Sequence, residues 1–218
     1  MQFNKFEEYS RKALSTVYSE PETQFHNTLI PKVVEEFFVP LNLDKESTIL
    51  DIGCGQGKFM DIIKELGYTN VTGVTLSLED LAACGEKRHS TLKCEMSDIW
   101  LTDGTVDFIW CRHCLEHSIY PLFTLYEFHR LLRNGGRVYV EVPAPDCDRR
   151  HEFNPNHYSV MGAQMWGALF QKSGFTITQA NEQNLELFDN GQKATEKNYM
   201  FVIEKHDTTT QDWTQASD

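Results

Sequence analysis

Residues 49–59 read Ile49-Leu50-Asp51-Ile52-Gly53-Cys54-Gly55-Gln56-Gly57-Lys58-Phe59. An apolar run carries an acid near its end and then meets glycines at alternate positions. Glycine lets a backbone turn sharply and approach a ligand closely, and the helix N-terminus that follows offers unpaired N–H groups. A strand emptying into such a loop, with Asp51 at its end, reads as a ligand cradle rather than a bare turn. Phe59, Ile62, Ile63 and Leu66 then fall at helical spacing, and Gly67 stops that helix.

Outward from this loop the same alternation continues. Strand-like runs occupy 47–53, 70–76, 91–96, 106–111 and 137–143. Between them lie helical segments, at 78–86 and in the stripe Leu122, Leu125, Phe128 and Leu132, which Asn134-Gly135-Gly136 closes. Parallel strands need crossover connections, so this order predicts a mostly parallel sheet. A helix through Met161, Met165 and Leu169 ends at Gly174. Two strand-rich runs, 175–188 and 197–205, follow with no helix between them, as in an antiparallel hairpin with a loose loop at Asn190-Gly191. Ahead of the first strand, Phe25, Leu29, Val33 and Phe37 repeat at helical spacing around Pro31, which kinks or restarts the helix. The expected organisation is a helical cap over 1–44, a catalytic domain over 45–206 and a polar, disordered tail over 207–218.

The chain has 218 residues, enough for one full core. Hydrophobic residues make up 40% and charged residues 24%, the balance of a soluble globular enzyme. A net charge of −12, with no basic run longer than Arg149-Arg150, disfavours a nucleic-acid partner. No segment suits a signal peptide or a membrane span, so no membrane partner and a cytoplasmic location are expected. In that compartment Cys54, Cys84, Cys94, Cys111, Cys114 and Cys147 are expected as reduced thiols.

The segment Asp51-Ile52-Gly53-Cys54-Gly55-Gln56-Gly57 resembles the first motif of class I S-adenosylmethionine-dependent methyltransferases, and later motifs follow in order over 45–205. The resemblance implies an α/β fold with a Rossmann-like seven-stranded sheet, mostly parallel, with an antiparallel C-terminal hairpin and helices on both faces. It implies S-adenosyl-L-methionine as cofactor, with Gly53, Cys54, Gly55 and Gly57 curling around its methionine part and Asp51 serving its amino group. At the end of the second strand the family usually carries an acid for the ribose hydroxyls. Here Gly73-Val74-Thr75-Leu76-Ser77 stands instead, similar to the variant in cyclopropane-fatty-acid synthases and tocopherol-type methyltransferases. Thr75 and Leu76, with Asp80 or Glu79 as second partner, are the substitutes, unless Thr75 is simply a buried strand residue. After the third strand, Asp98 would accept from the adenine amino group and Ile99 would cover the ring.

The run Asp107-Phe108-Ile109-Trp110-Cys111-Arg112-His113-Cys114-Leu115-Glu116-His117 resembles the corresponding motif of the type-11 small-molecule subgroup. Cys111 and Arg112 would border the cofactor. Cys111 and Cys114 with His113 and His117 offer zinc-type donors, but without a second Cys-x-x-Cys pair no metal is assigned. Methyl transfer from a sulfonium is an in-line displacement, so the protein aligns the nucleophile and, where needed, removes a proton. His117 and His113 are the candidate bases, the alternative being that Glu116 and His117 only cap a helix.

The loop leaving the fifth strand lies at the carboxyl edge of the sheet, where ligands bind in open α/β folds. Glu141, Arg149, Arg150, His157 and Tyr158 are therefore the candidate contacts for a small-molecule acceptor, although both arginines have Asp146 and Asp148 as solvated neighbours. The tetrapeptide of amino-methylating DNA enzymes is absent after the fourth strand, where Cys111-Arg112-His113-Cys114 stands. Two other readings compete. A nicotinamide oxidoreductase would place its third glycine one position later and an acid after the second strand. A non-catalytic scaffold would keep the cofactor and lose the chemistry.

Overall fold

The computed structural model describes residues 3–13, 17, 24–189 and 192–206. The side chain of Phe25, the expected loop at Asn190-Gly191 and the tail 207–218 lie outside the described residues. Seven strands form one sheet: β1 (Ile49–Ile52), β2 (Val71–Thr75), β3 (Ser90–Lys93), β4 (Val106–Arg112), β5 (Leu132–Pro143), β6 (Phe175–Asp189) and β7 (Gln192–Lys205). Their order is β3-β2-β1-β4-β5-β7-β6. The first five run parallel; β7 pairs antiparallel with both β5 and β6. The strand order reverses between β1 and β4, and crevices at such switch points are where these sheets take ligands.

The central strands β1, β4 and β5 are buried on both faces, so neighbouring residues feed opposite cores. Leu50, Ile52, Ile109, Cys111, Val138 and Val140 join one cluster with Leu125, Phe128, Trp166 and Phe170. These last four come from α5 (Pro121–Leu131) and α6 (Ala163–Lys172). Ile49, Phe108, Trp110 and Tyr139 join the other cluster with Val33, Phe37, Phe38, Phe59 and Ile63. That face is covered by α3 (Lys58–Glu65) and by α2 (Gln24–Val33), while α1 (Phe3–Ala13) lies ahead of it and α4 (Leu78–Glu86) joins β2 to β3. Helices on both faces and an antiparallel end to the sheet agree with the sequence expectation. All six cysteines are free thiols, five of them buried.

Several boundaries differ from the expected ones, each for a local reason. Pro31 sits inside α2, which continues to Val33 and then widens into a π-turn over Val34–Phe38. The stripe of α5 ends one residue early: Leu132 is extended and begins β5, and Leu122 is 46% exposed. The last hairpin is longer than expected, with Asp189 registered against Gln192. Most consequential, β3 stops at Lys93, so Cys94, Glu95 and Met96 turn away from the sheet.

Candidate functional site

A cleft of about 250 Å³ opens at the carboxyl ends of β1, β2 and β4. Its floor is Asp51, Ile52 and the glycine loop. Gly53 has φ +68°, and a Cβ there would lie 2.6 Å from Cys114 Sγ, so the loop packs directly on the turn after β4. Gly55 has φ +50° and nothing within 4 Å of a Cβ, which leaves open space over its backbone. Asp51 is 3% exposed, lines the cleft, and keeps Oδ2 without a hydrogen-bond partner. Burial, helped by the nearby Cys84 sulfur, pushes its carboxyl well above the ordinary range. An orphaned carboxyl aimed into a cleft fits a cationic amino group.

At the end of β2, Thr75, Leu76 and Asp80 also line the cleft, whereas Glu79 is exposed. The Thr75 hydroxyl accepts from the Ser77 N–H at 3.1 Å and donates to Asp80 Oδ2 at 3.4 Å. Ser77 caps α4 through the Asp80 N–H at 3.1 Å. The hydroxyl and the acid are thus held side by side on the cleft wall.

The loop after β3 corrects the sequence reading. Asp98 is exposed and does not line the cleft, and Ile99 is buried in the core, where its N–H donates to Glu127 Oε1 at 2.7 Å. Because β3 ends at Lys93, it is Cys94, Glu95 and Met96 that face the cleft. Burial raises the Glu95 carboxyl, although the Ser97 N–H donates to it at 2.6 Å. Gly57 and Cys111 also lie off the cleft: Gly57 is the N-cap residue of α3, close to His89, and Cys111 is wholly buried in the core.

The end of β4 is an ionic cluster. Arg112 lines the cleft while its Nε donates to Glu141 Oε2 at 2.9 Å; Tyr139 Oη donates to the same oxygen at 2.7 Å. His113, at φ +48°, places Nε2 3.0 Å from Glu141 Oε1 and Nδ1 3.5 Å from Glu116 Oε1. Burial and Arg112 lower the His113 pKa, but Glu141 and Glu116 outweigh them and bring it to about 10. Burial would raise Glu141, yet Arg112 and His113 hold it at about 2. His113 is therefore an imidazolium clamped between carboxylates, and a protonated ring cannot take a proton. Glu141 is fully buried in this cluster rather than facing an acceptor.

His117 does border the cleft, together with Asn156 and Tyr158. Its Nδ1 donates to the Asn156 carbonyl at 2.8 Å. His157 stands behind it, ring centroids 4.7 Å apart and nearly perpendicular, and burial pushes its pKa down to about 4. Arg149 and Arg150 are not in the cleft. Arg149 lies 3.9 Å from Glu196, and Arg150 borders a separate shallow surface hollow with Asp146 and Asp148. Trp110, stacked between Phe59 and Tyr139 at 4.3 and 4.2 Å, forms an aromatic floor that the sequence reading left out. Ala13, Val17 and Ile30 bring the N-terminal segment over the same cleft.

Residues 24–180 match the family model described as a methyltransferase domain. The chain belongs to the methyltransferase family. S-adenosylmethionine is its cofactor, and the unpartnered Asp51 carboxyl and the open space over Gly55 fit that ligand. The methyltransferase is 28% identical over 156 residues to the mouse tRNA (carboxymethyluridine(34)-5-O)-methyltransferase ALKBH8, covering 66% of this chain and 22% of that protein. It is 23% identical over 163 residues to phosphoethanolamine N-methyltransferase 1 of Arabidopsis thaliana, covering 70% of this chain and 33% of that protein. The chain thus spans a third or less of the length of these two relatives. Its fold is that of a SAM-dependent methyltransferase from Archaeoglobus fulgidus, with TM-score 0.66, 15% identity, and coverage of 92% of this chain and 99% of that one. No helix among the described residues is long and apolar enough to cross a membrane.

Proposed function

We propose that this methyltransferase acts on a small-molecule acceptor that enters the cleft beside His117, Asn156 and Tyr158. The observation that carries this reading is the presence in one cleft of a cation-seeking carboxyl, Asp51, and a histidine whose ring is held by a backbone carbonyl, His117. In this reading Asp51 holds the cofactor's amino group, Thr75 and Asp80 its ribose, and Glu95 and Met96 its base. Bound there, the cofactor supplies a methyl group on a sulfonium that leaves in an in-line displacement. The chain's own residues align the acceptor and exclude water. His113 serves as a fixed positive charge, and His117 is the predicted base still placed to meet an acceptor. The described residues ahead of β1 act as a cap, since Ala13, Val17 and Ile30 reach the cleft and Tyr158 Oη lies 3.5 Å from the Ala13 carbonyl.

A tRNA acceptor is the other class that a relative's name brings forward. The charge of −12 speaks for the smaller acceptor, because each phosphate contact needs a Lys or Arg to displace counterions. The test is calorimetry with S-adenosylhomocysteine, followed by transfer of radiolabelled methyl from S-adenosylmethionine to fractionated extracts. Wild type should bind and should label the metabolite fraction. Gly55→Val should lose binding, because its side chain fills the open space above the loop. Label confined to the tRNA fraction would overturn the small-molecule reading.

A further inference from the structure

We propose that Glu116, His117 and His157 form a binding site for one borderline divalent cation, with zinc the best match, at the acceptor rim of the cleft. The three side chains bring one donor atom each to within 4.8 Å of one another. Zinc–nitrogen and zinc–oxygen bonds of about 2.0–2.2 Å put tetrahedral neighbours roughly 3.4 Å apart, so small side-chain rotations close the set. Glu116 is 1% exposed; its Oε1 faces His113 at 3.5 Å, while Oε2 has no hydrogen-bond partner. A buried carboxylate oxygen without a partner is a costly feature that a cation relieves.

The two imidazoles are oriented for the same purpose. A carbonyl only accepts, so the Asn156 contact fixes the hydrogen of His117 on Nδ1 and makes Nε2 the unprotonated nitrogen. That is the tautomer a metal ligand needs, held by the kind of outer partner such ligands have. The Asn154 side-chain amide donates to the unprotonated Nε2 of His157 at 3.2 Å, while the buried Nδ1 has no hydrogen-bond partner. A cation would replace that long hydrogen bond.

Two nitrogens and one carboxylate oxygen suit zinc, cobalt, manganese or iron better than magnesium or calcium, which favour all-oxygen shells. This is not the Cys111/Cys114/His113/His117 set that the sequence pattern suggests. Both cysteines belong to the apolar core, and His113 is turned toward Glu116 and Glu141. His157 is 40 residues from His117 and joins it only through the fold, so the local spacing around Cys111 and Cys114 does not point to this set.

Three protein ligands leave a coordination position open. His117 lines the cleft, so an acceptor oxygen can take that position; a metal-bound hydroxyl gives up its proton more readily to solvent water as the oxygen–methyl bond forms and the sulfur–methyl bond breaks. The site then makes His117 a metal ligand rather than the proton acceptor itself, and favours an oxygen nucleophile. This purpose rests on the proposed acceptor side of the cleft; cation binding itself does not.

The probe is Co²⁺, followed by its visible absorption, with Zn²⁺ competition. The wild-type protein should bind one equivalent displaced by Zn²⁺, without a thiolate-to-cobalt charge-transfer band. His157→Ala should weaken binding by more than roughly 100-fold, beyond the 10–100-fold that loss of an outer partner costs. His157→Cys should restore binding and introduce the charge-transfer band. S-adenosylhomocysteine binding should persist in both variants, which reports an intact fold and separates failure here from failure of the methyltransferase reading. Wild-type protein that takes up no Co²⁺, or a His157→Ala variant that binds it as tightly as wild type, would overturn the proposal.

Discussion

Asp51→Asn is the most informative single change, because it tests geometry and electrostatics together. The side chain is 3% exposed, Oδ2 has no partner, and burial raises its pKa above the ordinary carboxyl range. In the protein without ligand the carboxyl therefore keeps its proton to higher pH than a free aspartate. An ammonium placed against it favours the ionised form, so cofactor binding releases a proton. Affinity should then rise with pH through the raised pKa, level off, and fall only where the ligand's own ammonium loses its charge. A hydrogen bond to a charged group contributes about 1.5–3 kcal/mol, so Asp51→Asn should weaken S-adenosylhomocysteine roughly 10–150-fold. The sign for stability is opposite. A raised folded-state pKa gives stability below the unfolded pKa and loses it as pH rises through the folded one. Aspartate is thus a burden on the unliganded fold at neutral pH, and the asparagine variant should melt higher while binding worse. Calorimetry in two buffers of contrasting ionisation enthalpy reads the proton release directly. Equal affinity and the same buffer dependence in wild type and Asp51→Asn would refute the assignment of this carboxyl.

Three further outcomes are expected. Thr75→Ala should weaken cofactor binding by about 1 kcal/mol, the contribution of one neutral hydrogen bond, while an unchanged dissociation constant with the fold intact would return Thr75 to a purely structural part. Glu95→Gln should alter S-adenosylhomocysteine affinity and Asp98→Asn should leave it alone; the reverse pattern in calorimetry would restore the family-like placement of the adenine acid. His113→Gln should lower thermal stability by about 1–3 kcal/mol by depriving buried Glu141 of a partner, whereas His117→Gln should chiefly lower kcat by roughly 10²–10⁴. Full activity of His117→Gln across the neutral range would remove it from the chemistry.

What the sequence settles here is short-range. Glycines at alternate positions after an apolar run, and helical stripes between strands, specify the β1 loop, the parallel order and the position of Asp51, because each depends on neighbours a few residues apart. Thr75 and Asp80 were legible for the same reason, being five residues apart across one turn. The misplaced residues all depend on where a strand ends or on a distant partner. Leu92 and Met96 are apolar enough to extend β3 on paper, but pairing with β2 ends at Lys93, and that shift replaces Asp98 with Glu95 in the cleft. Glu141 and His113 read as site residues because of their place at strand ends. Only the packing of β4 against β5 shows them neutralising each other, with Arg112 and Glu116, in a buried ionic cluster. His157 acquires its meaning from a loop that folds back onto the turn after β4. A periodicity records which face of an element is apolar; it holds no information on which distant charge will lie within 3 or 4 Å, and there the tertiary structure decides the chemistry.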